Sequence, residues 1–282
     1  MKSNQEASNQ ALVSIVMNCY NGDSYLHESI KSVISQTYLY WEMILIDNGS
    51  TDNTPIIMKN FMALDNRITA ISLSTNSGGP AYPRNLGIEK ARGDYVAFLD
   101  ADDVWDIDKL KSQVDFILKE GLDVVHGKAE YMDASGNLNG TLKSSKVSTV
   151  LASLFGDAPA LMLVNPIVLS SCLVKNSTNL RFRTDPTFQA IEDWFLWIDL
   201  SLSGAKFGTL NKRVVFYRVH DSSLSNLNGK LQYFKGFCLY STLLLEEKIN
   251  LRKFKPINEK QIGIDIKSNH FGISSDRISA SP

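Results

Sequence analysis

Up to residue 129, short apolar runs alternate with stretches of helical periodicity, and this alternation most limits the folds open to the chain. Each apolar run has about six residues, and the stretches between them repeat apolar residues every three or four positions. This order predicts a βαβαβαβ arrangement, an α/β fold with a mostly parallel central sheet flanked by helices. The four predicted strands are LVSIVMN at 12–18, WEMILID at 41–47, ITAISLS at 68–74 and YVAFLD at 95–100.

The rest of the chain is less regular, with polar loops around an apolar stretch at 151–173. Residues 1–10 and 255–282 are polar and poorly periodic, so we expect loose tails at both ends. The elements predicted between these regions are a helix at 190–203, strands at 206–210 and 213–219, and an amphipathic helix at 228–254.

Composition narrows the classes of function. A formal net charge of −1 gives no electrostatic basis for binding nucleic acid. Three cysteines without CxxC spacing argue against a disulfide framework and a zinc site, and favour a reducing compartment. The N-terminus lacks the apolar core of a signal peptide, and no run of about 18 apolar residues occurs. We therefore expect a cytoplasmic protein.

Three carboxylates lie at the end of the fourth predicted strand: Asp100 is its last residue, and Asp102 and Asp103 come directly after it. Ligands of open parallel sheets bind at the carboxyl ends of the strands, and crowded carboxylates repel one another unless a cation is near. The Asp-x-Asp spacing suits a hard divalent cation whose remaining ligands are water and phosphate oxygens. The alternative to a metal site is an Asp-rich turn that caps the next helix. For Asp103 itself, we expect that it either caps this helix or orients a water on the metal.

Two further strand ends carry candidate ligand-binding side chains. Asp47 ends the second strand, where it could accept from a base N–H or a ribose hydroxyl; the alternative is a turn built on Asn48 and Gly49. Arg84 follows a flexible glycine pair and suits a phosphate or a carbonyl. Its alternative interpretation is an exposed charge on a helix.

Carboxylates and cations also mark the second half. Glu192 and Asp193 begin a predicted helix, where adjacent side chains point in different directions and so suit different tasks. One could be a general base, and the alternative is charge that complements the helix dipole. Arg218 and His220 end a predicted strand, where either could reach a diphosphate or a metal or could be structural.

Together these segments resemble family 2 glycosyltransferases, which have the GT-A fold. The matching segments, in order from residue 12 to about 225, are SIVMNCYNG, IDNGSTD, PRNLGIEKARGDYVAFLDADD, EDWFLW and YRVHDSSLS. The resemblance implies a Rossmann-like nucleotide-sugar-binding half at 11–129 and an acceptor-binding, catalytic half at 130–227. Two departures stand out: Asn18-Cys19 replaces the usual Pro-Val, and Asn48 replaces the second Asp of a D-D-G motif.

The resemblance implies a role for each matched residue. Tyr20 and Asp47 would hold the nucleobase, and Asp100 would meet the ribose. Arg84 would lie near the base or the diphosphate, and Arg218 would contact the diphosphate. The full set implied to bind the nucleotide sugar is Tyr20, Asn21, Asp47, Arg84, Asp100 and Arg218.

For the chemistry, the resemblance implies that Asp102 coordinates Mg²⁺ or Mn²⁺ bridging the diphosphate and that His220 completes the metal site. Asp193 would be the general base, with Glu192 beside it. A nucleoside diphosphate leaving group needs its charge neutralised by such a cation, while the base deprotonates the attacking hydroxyl. A single displacement inverts the anomeric centre, so an α-linked donor gives a β-linked product.

The expected function is therefore transfer of one sugar, from a donor such as a UDP-sugar, in O-antigen or capsule assembly. The expected acceptor is a saccharide linked to polyprenyl diphosphate. The absence of a Q-x-x-R-W segment disfavours a processive synthase. The helix at 228–254 could rest on the inner face of the plasma membrane, or it could close the core.

Two alternatives belong to other functional classes. One is a degenerate nucleotide-binding module without catalysis, which the presence of Asp102 and Asp193 disfavours. The other is a Mg²⁺-dependent nucleotidyltransferase, which needs a lysine-bearing, glycine-rich loop after the first strand. The segment NCYNGDSY has one glycine and no lysine.

Overall fold

The structure, a computed structural model, describes residues 10–141, 165, 167–177, 180–221, 236 and 239. The strands in these residues are β1 (Val13–Cys19), β2 (Trp41–Asp47), β3 (Ile68–Ser72), β4 (Tyr95–Phe98), β5 (Val104–Trp105), β6 (Val124–Met132), β7 (Leu138–Thr141), β8 (Cys172–Lys175) and β9 (Phe207–Arg218). The α-helices are α1 (Asp23–Ile34), α2 (Thr54–Leu64), α3 (Ala81–Lys90), α4 (Lys109–Glu120) and α5 (Glu192–Leu202). Two 3₁₀ turns, Leu169–Ser171 and Pro186–Phe188, lie between β7 and α5.

All nine described strands form one sheet in the order β3-β2-β1-β4-β8-β6-β9-β5, with β7 paired to β6. The strands β1, β2, β3, β4, β6 and β9 share one direction. The strands β5, β7 and β8 run in the opposite direction. The predicted α/β fold with a mostly parallel sheet is therefore confirmed, and β8 is an antiparallel strand inserted between β4 and β6.

Helices cover both faces of the sheet. Neighbouring residues of a strand point to opposite faces, so the residues of β1 contribute to both cores. Ile15 and Met17 of β1 pack in a core with residues of α1, α2 and α4. Val16 points the other way, into a second core with residues of α3 and α5. A Cβ on Gly87 of α3 would lie 2.4 Å from Val16 Cγ1, so α3 can approach β1 closely only with glycine there.

The last described strand differs from the sequence prediction. The two strands predicted at 206–210 and 213–219 are one strand, β9, whose pairing with β6 jumps from Leu210 to Arg213. Such a bulge accommodates the polar pair between them, which had interrupted the apolar pattern. The N-cap residue of α2 is Asn53, and the hydroxyl of Thr54, the first residue of the helix, accepts a hydrogen bond from Gly22 N.

The predicted role of Asp103 as cap of the next helix is wrong. Helix α4 begins at Lys109 and its N-cap is Asp108. Asp103 is instead buried and accepts a hydrogen bond from the backbone N of Arg218, at the end of β9. Its carboxylate therefore joins the segment after β4 to the last strand.

Strand β6 runs through residues 129 and 130, where the two predicted halves meet, so the division into halves stays a prediction. Of the predicted helix at 228–254, only Gly236 and Leu239 are described, and both have helical backbone. A Cβ on Gly236 would lie 2.2 Å from Trp194, so this position closely approaches α5. The predicted tail at 255–282 and residues 1–9 lie outside the described residues. No helix in the described part of the chain is long and apolar enough to span a bilayer.

Candidate active site

The loops after β1, β2 and β4 lie at one edge of the sheet, because these strands are parallel and in register. Asn21 joins the first two loops. Its Oδ1 accepts from Thr51 N at 2.9 Å, and its own N donates to Ser50 Oγ at 3.0 Å. Its φ of 50° is a left-handed conformation that asparagine tolerates better than most residues. Tyr20, beside it, is 50% exposed at this edge.

The turn after β2 depends on a glycine. Asp47 is buried and its Oδ1 accepts from Ser50 N at 2.9 Å. Gly49 has a φ of 74°, and a Cβ there would lie 2.5 Å from the carbonyl carbon of Thr75. This close approach brings the loop after β3 against the loop after β2.

Asn48 replaces the second Asp of the family's D-D-G motif. Both the oxygen and the nitrogen of its side-chain amide bond the loop after β3. Its Oδ1 accepts from Ser77 N at 3.0 Å, and its Nδ2 donates to Gly79 O at 3.3 Å. A carboxylate can only accept, so aspartate could make the first bond and not the second. The amide thus fixes the start of α3, which carries Arg84.

Arg84 lies between two carboxylates. Its Nη2 is 2.7 Å from Asp100 Oδ1 and its Nη1 is 2.7 Å from Glu192 Oε1, and its side chain is 8% exposed. Burial lowers the pKa of Arg84, but the charges of Asp100 and Glu192 outweigh it and the net shift is upward. The guanidinium therefore stays charged and links the end of β4 to the start of α5.

Asp193 lies in the first turn of α5 with both oxygens hydrogen-bonded. Its Oδ1 accepts from Trp194 N at 2.7 Å and its Oδ2 accepts from Asn165 Nδ2 at 3.0 Å. Burial, with the charge of Glu192 adding to it, raises the pKa of Asp193 to about 7, against the opposing effects of Arg84 and the two hydrogen bonds. A carboxylate that titrates near neutral pH is well suited to general-base catalysis.

Asp102 and His220 are brought together from positions far apart in the chain. Asp102 Oδ2 lies 3.0 Å from His220 Nε2, and the imidazole ring lies 5.0 Å from the ring of Tyr25. Burial raises the pKa of Asp102, the charge of Asp100 adds to that shift, and the hydrogen bond from His220 opposes it. The two residues thus form a pair at the same edge of the sheet as Asp100.

The Asp102–His220 pair fits a divalent cation. Neighbouring ligand atoms of an octahedral Mg²⁺ site lie roughly 3 Å apart, which matches the separation of the carboxylate oxygen and the imidazole nitrogen. Within the described residues, no group of three or more His, Cys, Asp and Glu is arranged to hold a metal. Two protein ligands suit Mg²⁺, which usually keeps several waters and binds substrate phosphates.

Arg218 is buried and its guanidinium contacts protein groups. Nε donates to Asp102 O at 2.9 Å, and Nη2 pairs with Glu28 of α1. The guanidinium carbon lies 4.5 Å from the centre of the Tyr25 ring. Arg218 therefore supports the Asp102–His220 pair by its contacts with Asp102 and Tyr25. Its predicted contact with a diphosphate stays a prediction.

Sequence reasoning missed four residues of this region. Ser170 accepts a hydrogen bond from Asp100 N at 3.1 Å, and Asn165 contacts Asp193. Glu28 and Tyr25 lie on α1, where the helical pattern had drawn attention only to the apolar face. Asn165 and Ser170 belong to the irregular stretch before β8, and no periodicity or motif distinguishes them.

Comparison with known proteins identifies the family. The sequence model of the family described as "Glycosyl transferase family 2" matches residues 14–163, more than half of the chain. The chain belongs to glycosyl transferase family 2. The matched residues include the ends of β1, β2 and β4, where the site residues of the first half lie.

Curated relatives of this family 2 member come from bacteria. An uncharacterized glycosyltransferase of Haemophilus influenzae is 41% identical over 156 residues, covering 55% of this chain and 62% of its own length. TuaG of Bacillus subtilis, named for teichuronic acid biosynthesis, is 30% identical over 219 residues, covering 78% and 83%. WfgD of Escherichia coli is 30% identical over 221 residues, covering 76% and 80%; it is named as a UDP-Glc:α-D-GlcNAc-diphosphoundecaprenol β-1,3-glucosyltransferase.

Solved glycosyltransferases share the fold. S. aureus TarS 1–349 in complex with UDP-GlcNAc has a TM-score of 0.65 at 20% identity, covering 83% of this chain and 66% of that one. Mannosyltransferase PcManGT of Pyrobaculum calidifontis, in complex with GDP-Man and Mn²⁺, has a TM-score of 0.60 at 17% identity, covering 84% and 70%. The GT-A fold expected from the sequence is confirmed.

Proposed function

We propose that this protein is an inverting, metal-dependent glycosyltransferase. It moves one sugar from a nucleoside-diphosphate sugar, a UDP-sugar, to a hydroxyl of a saccharide linked to polyprenyl diphosphate. The observation that carries this proposal is Asp193, a carboxylate with a pKa of about 7, linked through Glu192 and Arg84 to Asp100 after β4.

The donor lies along the carboxyl edge of the sheet. Tyr20, Asn21 and Asp47 hold the nucleobase end, where the loops after β1 and β2 are tied together. Asp100 meets the ribose with its orientation fixed by Arg84. The support for this placement is the general rule that open α/β sheets bind ligands where the carboxyl ends of the strands meet.

Asp102 and His220 would hold the divalent cation on which the proposed reaction depends. Mg²⁺ or Mn²⁺, when bound there, neutralises the charge that develops on the departing nucleoside diphosphate. Arg218 keeps Asp102 in place through its bond to the Asp102 carbonyl, and Tyr25 packs against His220. The solved neighbour PcManGT is described with Mn²⁺, which supports the same class of ion here.

Asp193 takes the proton of the acceptor hydroxyl. The hydroxyl oxygen then attacks the anomeric carbon on the face opposite the diphosphate, and the bond from that carbon to the diphosphate oxygen breaks. The electron pair leaves with the nucleoside diphosphate, and the proton held by Asp193 passes later to water. One displacement inverts the anomeric carbon, so an α-linked donor yields a β-linked product.

The names of two relatives support the acceptor and the process. WfgD is named for transfer to GlcNAc-diphosphoundecaprenol, and TuaG for teichuronic acid biosynthesis. We place this protein in the assembly of a surface polysaccharide such as O-antigen or capsule. A polyprenyl-linked acceptor puts the reaction at the inner face of the plasma membrane, with the protein there as a peripheral component.

A panel of nucleotide sugars tests the function. UDP-, GDP- and dTDP-sugars are incubated with Mn²⁺ and with GlcNAc-diphosphoundecaprenol, and release of nucleoside diphosphate and the glycosylated lipid are both measured. We expect a UDP-sugar to be used, with the lipid product formed only when Mn²⁺ or Mg²⁺ is present. Nucleotide binding without release or transfer from any donor would instead indicate a binding module, and release of pyrophosphate from a nucleoside triphosphate would indicate a nucleotidyltransferase.

Replacing the base separates catalysis from binding. Asp193→Asn should abolish transfer while UDP–Mn²⁺ binding, measured by calorimetry, stays within about twofold of wild type. The matched control is Asp199→Asn on the same helix, which removes an ion pair with Arg183 and should retain transfer. Turnover by Asp193→Asn at a rate near that of wild type would rule out Asp193 as the base.

A further inference from the structure

Asn165 contacts Asp193 with an amide whose orientation is fixed. Its Oδ1 accepts from the backbone N of Ile167 at 3.3 Å, and its Nδ2 lies 3.0 Å from Asp193 Oδ2. A backbone N–H can only donate, so the amide atom it meets has to be the oxygen. The nitrogen is thereby directed to Asp193 as a donor.

The two hydrogen bonds of Asp193 hold its carboxylate from both sides. Trp194 N donates to Oδ1 and Asn165 donates to Oδ2, so rotation of the carboxylate would break one bond or the other. Each carboxylate oxygen has two acceptor sites, so one on each oxygen remains for the proton of a substrate hydroxyl.

Among the described residues, the titratable groups Glu192, Arg84 and Cys172 lie on elements packed around Asp193. Glu192 on the same helix and Arg84 on α3 act in opposite directions. The thiol of Cys172, at the start of β8, is kept neutral because burial raises its pKa to about 12. Arg84, Trp194 N and Asn165 favour the anionic form of Asp193. Of these, Asn165 acts through a neutral side chain that donates a hydrogen bond to the carboxylate.

From this geometry we infer that Asn165 is a positioning residue for the reaction: it orients the Asp193 carboxylate and favours its anionic form while the acceptor hydroxyl approaches. The inference rests on the proposed role of Asp193 as general base. A hydrogen bond donated to a carboxylate stabilises the charged form, so its loss moves proton uptake to higher pH. Asn165 acts through Asp193 and needs no contact with the substrate.

The test measures the titration of Asp193 directly and needs no substrate. Protein labelled with ¹³C at the aspartate carboxyl carbons is titrated by NMR, and the Asp193 signal is assigned by its absence in Asp193→Asn. We expect Asn165→Ala to raise the apparent pKa of Asp193 by about one unit, since a hydrogen bond to a charged group is worth about that much. The low-pH limb of kcat/KM should move upward by the same amount, with KM for the nucleotide sugar unchanged.

A second variant covers the case in which Asn165→Ala does not fold. Asn165→Asp has the same shape and keeps an acceptor for Ile167 N, but it replaces the donor by a second carboxylate. Proton uptake by the resulting pair should begin at a higher pH than in wild type. The matched control is Asn176→Ala, which removes an amide bonded to Gly93 O at 2.9 Å and should leave both the Asp193 titration and the pH profile unchanged.

The outcomes separate this inference from the proposed function. An unchanged Asp193 titration in folded Asn165→Asp or Asn165→Ala would overturn the inference even if Asp193→Asn is inactive. A drop in kcat at every pH without a shifted limb would also overturn it, because that pattern marks a merely structural residue. An active Asp193→Asn would instead overturn the role of the base.

Discussion

Arg84 and Glu192 form a buried ion pair, with Nη1 2.7 Å from Oε1, although they lie 108 positions apart in the chain. The pair links α3, which follows the loop held by Asn48, to α5, which carries Asp193, the base in our proposal. Because Arg84 also bonds Asp100, one side chain joins the end of β4 to the start of α5.

Arg84→Lys should destabilise the fold strongly. A lysine ammonium cannot reproduce the planar fork that bonds two carboxylates, so at least one buried carboxylate loses its partner. We expect the free energy of unfolding to fall by about 3 kcal/mol, measured by urea denaturation. The matched control is Arg181→Lys, whose partner Glu89 also lies on α3 but at the surface, and there the change should stay below about 1 kcal/mol. Equal effects of the two variants would contradict a structural role for the buried pair.

Asp193→Asn should change how stability depends on pH. The pKa of Asp193 rises from 3.8 to about 7 on folding, so between these values the folded state binds more protons than the unfolded state. Stability contributed by this group is therefore complete below pH 3.8 and is lost as the pH rises through 7.

The asparagine variant does not lose this contribution. Its free energy of unfolding should match that of wild type near pH 4 and exceed it above pH 7, by up to about 4 kcal/mol at about 1.36 kcal/mol per pKa unit. Urea denaturation at pH 4, 6 and 8 measures the difference. A difference independent of pH would show that burial of the Asp193 charge has no energetic cost.

Asp102→Asn should weaken metal-dependent donor binding. The amide keeps the size of the side chain but removes the negative charge that attracts a hard cation. We expect the affinity for UDP in the presence of Mn²⁺ to fall at least about tenfold, while the weak affinity measured in EDTA stays the same. Asp108→Asn is the matched control: the same chemical change is made outside the site, and the amide oxygen can still accept from Thr37 Oγ1. If the UDP affinity of Asp102→Asn depended on Mn²⁺ as strongly as that of wild type, Asp102 would not be a metal ligand.

Asn48→Asp should loosen the loop before α3. The variant keeps the acceptor for Ser77 N but loses the donor to Gly79 O. A carboxylate oxygen of the new side chain would then lie close to the carbonyl oxygen of Gly79, and the two repel each other. We expect a loss of about 1 kcal/mol in stability and faster amide hydrogen exchange in residues 77–79.

The same loop offers a control for Asn48→Asp. The side-chain oxygen of Asn76 accepts a hydrogen bond from Gly78 N at 2.7 Å. Asn76→Asp makes the same chemical change while keeping that acceptor, so hydrogen exchange in this variant should stay close to wild type. If both variants exchange at the wild-type rate, the amide of Asn48 does not hold the loop.

The sequence predicted the first half of the fold well, because its strands are continuous apolar runs and its helices keep a 3.6-residue period. β2 has the predicted bounds, and β1, β3 and β4 differ from them by one or two residues. The polar loops followed directly from the strand ends, so the positions of Asp47 and Asp100 at the carboxyl edge of the sheet could be predicted, while their roles stay a prediction.

The second half was harder to predict, because contacts distant in sequence determine it. The bulge in β9 is defined by its pairing with β6, which the sequence of β9 alone does not reveal. The sequence pattern predicted that Asp103 caps a helix, but its carboxylate accepts a hydrogen bond from Arg218 N, 115 positions away. Asn165 is functional in our proposal only through Asp193, 28 positions away, and no local pattern distinguishes it from other asparagines.

The antiparallel insertion of β8 has a consequence for synthesis of the chain. β4 and β6 are made before β8, yet neither pairs with the other, so both keep an open edge until residues 172–175 leave the ribosome. Open edges invite wrong strand pairing. The strand that fills this gap follows the turn whose Ser170 holds Asp100. Nascent chains that stop before β8 should therefore be prone to aggregation, because the edges of β4 and β6 that β8 later covers are still unpaired.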